Sequence, residues 1–206
     1  MPRQVDREER RRMLAEAVFA VIAERGLAAV SLRDVAAQAG VSMGAVQHWF
    51  TTKDEMLRFA LDHMRTRVLG RLQDRLGRLA DPGRRDLLEA GLEVMLPLDE
   101  AGRQEACVNV AFVGLATTDP GYADMLRLGY QRLVDGSKAQ LRAAAAAGEL
   151  APGVDPDGEA VALYFLAQGL IAPLLVGMLT PAEARAVLHT RLDQLFASRP
   201  AAPDAG

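Results

Sequence analysis

VSLRDVAAQAGVSMGAVQHWF, Val30 to Phe50, spells two short helices joined by one glycine. Ser31 stands at an N-cap position with Asp34 three residues on as its capping-box partner, and Val30 and Val35 take the two places of a hydrophobic staple. A helix is therefore expected to start at Leu32. Gly40 falls where a helix end needs a left-handed residue, and Val41, Ser42 and Val46 repeat the staple and cap for a second helix. Two helices with a turn of about three residues are the layout of a helix-turn-helix DNA reader. The same caps would also serve an αα-hairpin in an all-helical enzyme or adaptor, so the faces of the second helix carry the decision.

Over Met43–Trp49, Val46 and Phe50 are four apart and point into a small bundle, while Met43 with Gln47, and Gly44 with His48, form rows on the other side. A face of Met, Gly, Gln and His is poor core. In a DNA groove it makes sense: Gln pairs with a base edge, Met packs on a thymine methyl, and Gly permits close approach. Gly44 inside a helix costs about 1 kcal/mol relative to Ala, so a requirement other than helix stability is expected to keep it. Lys53 is a second oddity, because a cation in the first turn of a helix opposes the macrodipole. A phosphate bound by Lys53, Thr52 and the free N–H groups of that turn would reverse the sign; a solvated lysine screened by Asp54 and Glu55 is the plainer alternative.

The chain of 206 residues carries a net charge of −3, which fits a nucleic-acid binder only when divided along its length. Residues 1–60 hold nine Lys/Arg against eight Asp/Glu, leaving 15 against 19 for the rest. The cations gather at the start, where Arg3, Arg7, Arg10, Arg11 and Arg12 face Asp6, Glu8 and Glu9; a few placed cations matter more to phosphate binding than the overall balance. Read as structure alone, the same stretch is a solvated arm. Half of the residues are apolar, but the longest apolar stretch, Val161 to Leu179, is broken by Gln168, Gly169, Pro173 and Gly177, so a buried helix is expected rather than a membrane span. The charged start lacks an apolar segment directly behind it, so a cytoplasmic protein is expected. A single cysteine, Cys107, allows no internal disulfide.

Every periodic segment has the helical period, which makes the fold all-α. The pattern predicts a first helix from about Asp6 to Arg25 ending at Gly26. After the helix pair, Thr52 and Glu55 form another capping box and open a long helix through Leu57, Leu61, Met64, Val68, Leu72, Leu76 and Leu79, ending before Pro82. Further helices are expected at about Arg84 to Leu96, Gly102 to Ala116, Gly121 to Ala147, Pro156 to Met178 and Pro181 to Ala197, the last opened by Thr180, Pro181 and Glu183. Nine helices result. Pro97 and Pro173 are read as interrupting helices and freeing carbonyls. The alanine-rich stretch Ala143 to Gly153 reads as a helix running into a mobile connection, and the Pro-rich tail, residues 198–206, as disordered.

No G-x-S-x-G, P-loop or G-x-G-x-x-G is present, Ser137 has no histidine nearby in sequence, and His48 has neither His63 nor His189 at metal-ligand spacing, so neither catalysis, a metal nor a cofactor is expected.

Gly26, Ser31, Val35, Ala36, Ala39, Gly40, Val41, Ser42, Gly44, Phe50, Lys53 and Leu57 together resemble the DNA-binding domain of the tetracycline-repressor (TetR) family of bacterial regulators. The likeness is strong over residues 8–60; beyond it the chain is similar in length and layout, and in Gln168-Gly169-Leu170, which resembles an Asp-Gly-Leu of that family. Gln47 departs from the pattern, standing where the family usually has a tyrosine, so a phosphate contact is either lost or replaced by an amide within reach of a base.

The resemblance implies a nine-helix architecture with an N-terminal three-helix reader, residues 1–52, and a helical effector-binding and dimerisation domain, residues 53–197. It implies Ser42, Met43 and Ala45 as base-proximal, and Arg33, Gln47, His48, Trp49 and Lys53 as backbone or mixed contacts, with Gly44 allowing approach; Trp49 reads equally as a core anchor. The implied partners are an operator in double-stranded DNA, a small-molecule effector and a second copy of the chain, and no membrane. Leu163, Leu166, Leu170 and Leu174 form one stripe and Leu188, Leu192 and Leu195 another, offered as the dimer surface, although they would equally serve the core of one protomer. Met95, Asn109, Phe112, Tyr122, Met125, Phe165 and Gln168 are offered as lining a mostly apolar effector pocket, against plain core packing. The expected function is a ligand-responsive repressor that releases a near-palindromic operator; the rivals are a helical protein–protein adaptor and, further off, a small-molecule enzyme.

Overall fold

The computed structural model describes residues 2–196, with the side chains of residues 8–196; the tail expected to be disordered lies outside them. Nine α-helices occur among the described residues: α1 Pro2–Arg25, α2 Leu32–Gln38, α3 Met43–Trp49, α4 Lys53–Leu76, α5 Arg84–Glu93, α6 Glu100–Ala116, α7 Pro120–Ala146, α8 Pro156–Leu175 and α9 Pro181–Leu195, with a single 3-10 turn at Leu27–Ala29. The all-α architecture expected from the sequence is present.

Caps set most of these starts. Ser31 Oγ accepts from the Asp34 N–H at 3.1 Å, Ser42 Oγ from Ala45 at 3.2 Å, and Thr180 Oγ1 from Glu183 at 3.2 Å while the Glu183 carboxylate accepts from the Thr180 N–H at 2.8 Å. Between α2 and α3 the chain turns at Gly40, whose φ of 66° is open to glycine at little cost. The Gly40 N–H donates to the Ala37 carbonyl (3.2 Å) and the Val41 N–H to the Ala36 carbonyl (3.0 Å), the two bonds of a Schellman close.

Several boundaries differ from the sequence expectation for local reasons. Asp99, whose carboxylate accepts from the Gly102 N–H at 2.7 Å, starts α6 earlier than Gly102. At the end of α5, Met95 and Leu96 donate three residues back, to Leu92 and Glu93, so the helix closes before Leu96 and Pro97 interrupts no helix. α8 contains Pro173 and closes at Leu175, where the Pro173 carbonyl accepts from Met178 at 2.8 Å and Leu179 at 3.3 Å. The stretch read as a mobile connection is tied down, the Ala151 N–H donating to the Leu195 carbonyl at 2.9 Å beside a bridge from Leu150 to Phe196.

By compactness the chain divides into two units, one gathering the residues up to Arg71 and Pro97–Gly129, the other Leu72–Leu96 and the residues from Tyr130 onward. In the first, α1 packs on α2 and α6, and α2 on α3, around Leu14, Val18, Phe19, Val35, Val46, Phe50, Leu61 and Phe112. In the second, α5, α8 and α9 pack together. α8 is long and apolar enough by length and composition to cross a membrane, but Leu163, Ala167, Leu170, Ile171 and Leu174 are buried within its own unit. Leu163, Leu188 and Leu192 are fully buried and Leu195 2 % exposed, with Leu170 and Leu174 below a tenth. The leucine stripes offered as a dimer surface are therefore protomer core, because a side chain with no accessible area cannot meet a second copy; Leu166, half-buried, is the partial exception.

Candidate nucleic-acid interface

The reader is built from the inside out. Val46 and Phe50 are completely buried, and Arg11 of α1 lays its guanidinium 4.3 Å from the Phe59 ring centroid and 5.4 Å from that of Phe50, closing the rear of the bundle. That anchoring leaves the other side of α3 in solvent: Ser42, Met43, Gly44, Gln47 and His48 are exposed, Met43 by 44 %. A Cβ on Gly44 would meet nothing within the protein nearer than Ser42 Oγ at 3.9 Å, so nothing inside the fold requires a glycine there. Arg33 on α2 and Lys53 at the start of α4 are exposed as well.

Two of the expected contact residues are held differently from the others. Ala45 is half-buried, its N–H bound to Ser42 Oγ. Trp49 is half-buried against the reader core, with its ring 4.9 Å from that of His48 at 80°, which places it as an anchor supporting His48. Asp34 accepts from Arg25 at 3.2 Å; its bond from the Ser31 hydroxyl, and then Arg25, hold its carboxyl below the usual range despite some desolvation, so it stays ionised at the start of α2.

At α4 the capping differs in detail from the expected box: Thr52 Oγ1 accepts from the Glu55 N–H at 3.1 Å, but the Glu55 carboxylate reaches back to the Thr51 N–H, at 2.9 Å. Asp54 turns to Arg58 Nε, at 2.7 Å, and to the Tyr122 hydroxyl, at 2.8 Å. Both acids that were candidates for screening Lys53 have other partners, and Lys53 itself is exposed at the helix N-terminus.

Away from this face, α1, α4 and α6 share a charge ladder that the sequence reading missed. Glu16 accepts from His63 Nε2 at 2.9 Å and pairs with Arg67; Arg67 Nε and Arg71 Nη2 lie 3.2 and 3.0 Å from the two oxygens of Glu105; Arg71 also reaches Asp99, at 3.2 Å. Glu105 is 4 % exposed, and burial outweighs Arg71 and Arg67 to push its carboxyl above the usual range. Glu105 opens the run EACVNVAF, apolar but for Glu105 and Asn109, a signal that marks it as buried and in need of partners.

The residues offered for the effector are divided between the two units. Asn109, Phe112, Tyr122 and Met125 belong to the first unit, with Phe112 completely and Tyr122 almost completely buried in its core; Met95, Phe165 and Gln168 belong to the second. Phe165 is 58 % exposed, so it lines no enclosed site within its unit; its ring packs on Tyr130 and Tyr164, and Gln168 Nε2 donates to the Tyr164 hydroxyl at 2.9 Å. Glu89, Glu93 and His189 converge closely enough to suggest a metal, yet Arg85 pairs with Glu89, and Arg75 and Arg185 with Glu93. Arginines already neutralise both carboxylates, which describes an ion-pair cluster.

Residues 14–59 match the family of bacterial regulatory proteins named for tetR, and residues 82–197, more than half of the chain, match the C-terminal part of BetI-type transcriptional repressors. This chain belongs to the TetR family. Among TetR-family relatives, the regulator PksA of Bacillus subtilis is 35 % identical over 82 % of this chain and 80 % of its own length. A transcriptional regulator from Rhodococcus sp. Rha1 is 33 % identical, with a TM-score of 0.78 over 92 % of this chain and 99 % of that one. A regulator from Saccharomonospora viridis, solved in complex with choline, shares the fold with a TM-score of 0.80 over 93 % of this chain and 100 % of that one, at 24 % identity. As a TetR-family member the chain is a DNA-binding transcriptional regulator with a helix-turn-helix, and not an enzyme.

Proposed function

We propose that the protein is a cytoplasmic, ligand-responsive repressor that acts as a homodimer on a near-palindromic operator, with DNA reading in residues 1–52 and effector binding and dimerisation in residues 53–197. The observation that carries the reading is the outward face of α3: Met43, Gly44, Gln47 and His48 stand in solvent on a helix whose other side is fully anchored, and the Gly44 position is open inside the protein. In a major groove, Gln47 pairs with a base edge, Met43 packs on a thymine methyl, Ser42 and Ala45 lie close to bases, and Arg33, His48 and Lys53 contact the backbone. Two such helices about 34–36 Å apart read two half-sites.

The surface that supports pairing is the outer side of α8 and the turn after it, where Phe165, Val176 (70 % exposed) and Met178 (75 % exposed) project, with Val187 of α9. The effector is small and mostly apolar. Choline, bound by one structural relative, belongs in the first ligand screen, because Tyr130 and Tyr164, with ring centroids 4.9 Å apart, offer ring faces of the kind that organic cations use. Binding weakens the operator complex by moving α4, and with it α3, through a coupling of about 1–3 kcal/mol.

The test uses genomic fragments selected by the wild-type protein. Lys53→Ala lowers affinity for every duplex about tenfold and reduces the salt slope by roughly one per protomer, whereas Gln47→Ala lowers discrimination between operator and random duplex, both with an unchanged melting temperature. A protein–protein adaptor would show no such dependence on either residue.

A further inference from the structure

We infer that Tyr122 is a positioning residue for DNA binding, its hydroxyl pinning the first turn of α4 and hence the α3–α4 corner; this rests on the reading of α3 and Lys53 as the DNA contacts. The corner is stiff, because Phe50 is completely buried and the Thr51 N–H is bound to Glu55. Whatever fixes Asp54 therefore fixes Lys53 beside it and α3 before it.

Asp54 is fixed from two directions. Arg58 Nε donates to Oδ2 from the next turn of its own helix, and the Tyr122 hydroxyl donates to Oδ1 at 2.8 Å from the first turn of α7. Tyr122 itself has little freedom: it is 3 % exposed, its ring centroid lies 5.5 Å from that of Phe112, and the Arg58 guanidinium covers it at 4.5 Å. Asp119 caps α7 by accepting from the Gly121 N–H at 2.8 Å and comes within 3.8 Å of Arg58 Nη2. Gly121 leaves room for that guanidinium, since a Cβ there would stand 2.8 Å from Arg58 Nη1.

A phenol donating to an ionised carboxylate is one of the stronger hydrogen bonds, and the two groups reinforce it, Arg58 and Tyr122 holding Asp54 low while burial and Asp54 hold the tyrosine proton in place. The fold has no separate need of this bond. Asp119 already caps α7, the ring alone fills the core beside Phe112, and Asp54, whose side chain is more than half exposed, retains Arg58. What the hydroxyl adds is the link between the reader's edge and α7.

The experiment measures anisotropy with the operator duplex selected by the wild type and with a random duplex of equal length, alongside the melting temperature. Tyr122→Phe is expected to raise Kd for the operator roughly five- to twentyfold, within the range of couplings between sites, to raise Kd for the random duplex by a smaller factor because Lys53 meets any duplex through phosphate, and to lower the melting temperature by only a few degrees, as loss of one hydrogen bond does. Asp54→Asn is expected to weaken operator binding alone but to add little on top of Tyr122→Phe, as two ends of one interaction do. Gly121→Ala, which crowds Arg58 while favouring the helix, shifts operator affinity the same way by a smaller amount. An operator Kd for Tyr122→Phe within about twofold of wild type, below the usual range of couplings between sites, overturns the proposal, as does an equal rise for both duplexes with a falling melting temperature. A wild-type protein that fails to distinguish the two duplexes overturns the DNA reading and this proposal with it.

Discussion

α3 and α8 each carry one face that their unit consumes and one that it leaves over. In α3 the consumed side is Val46 with Phe50 behind it, and the remainder is Met43, Gly44, Gln47 and His48. In α8 the consumed side is Leu163, Ala167, Leu170, Ile171 and Leu174, and the remainder is Phe165, Gly169 and Ala172, continued by Val176. The leftover chemistry differs in kind. A small, hydrogen-bonding face suits a partner whose edges are donors and acceptors; an apolar face gains only by excluding water against another apolar face.

Leu192→Ala tests the assignment of the leucines most severely. With Leu192 wholly inside the protomer, the change is expected to cost about 3 kcal/mol of stability, within the usual range for a buried leucine, while sedimentation shows self-association unchanged. Loss of association without loss of stability would return the stripe to the interface. Gly44→Leu follows, because the position is empty in the protein and, in the proposed docking, faces the DNA: operator affinity is expected to fall about a hundredfold, equivalent to the strongest single base contact, with the melting temperature maintained or raised. Phe165→Glu is expected to weaken dimerisation about thirtyfold, the threshold effect of an interface hot spot, and to spare the protomer fold.

The smallest effect concerns a charge left inside. Because burial raises Glu105 above its ordinary 4.5, the folded protein holds that proton to higher pH than the unfolded chain does. Stability therefore declines as pH rises from near that value through the raised one, and levels off above it. Glu105→Gln removes the titration, so the urea midpoint is expected to vary less across this window than in the wild type.

The reader was legible because caps and turns are local chemistry: Ser31, Gly40 and Ser42 act within a few residues of themselves. The direction of the leucine stripes was not, since a helical period states which side chains share a face and says nothing of what meets it. Leu188 and Leu192 look the same in sequence whether they face α5 or a second chain. The Asp54–Tyr122 and Glu105–Arg67 contacts were hidden for a related reason, as each joins elements distant along the chain and neither has a motif. Phe165 was misplaced because an aromatic residue on an apolar helix reads as lining until its exposure is known.

The stiffness of the α3–α4 corner has a mechanical consequence. The part of α4 in the first unit, from Lys53 to Arg71, is about 28 Å long at ~1.5 Å per residue, so a tilt of ~5° about its far end carries Lys53 through ~2.5 Å. Because Phe50 is buried and the Thr51 N–H is bound to Glu55, such a displacement would be passed on to α3. The helix is a lever arm whose gain is set by its length, so small angular changes far from the reader become steps comparable to the spacing between neighbouring hydrogen-bonding edges on a base pair.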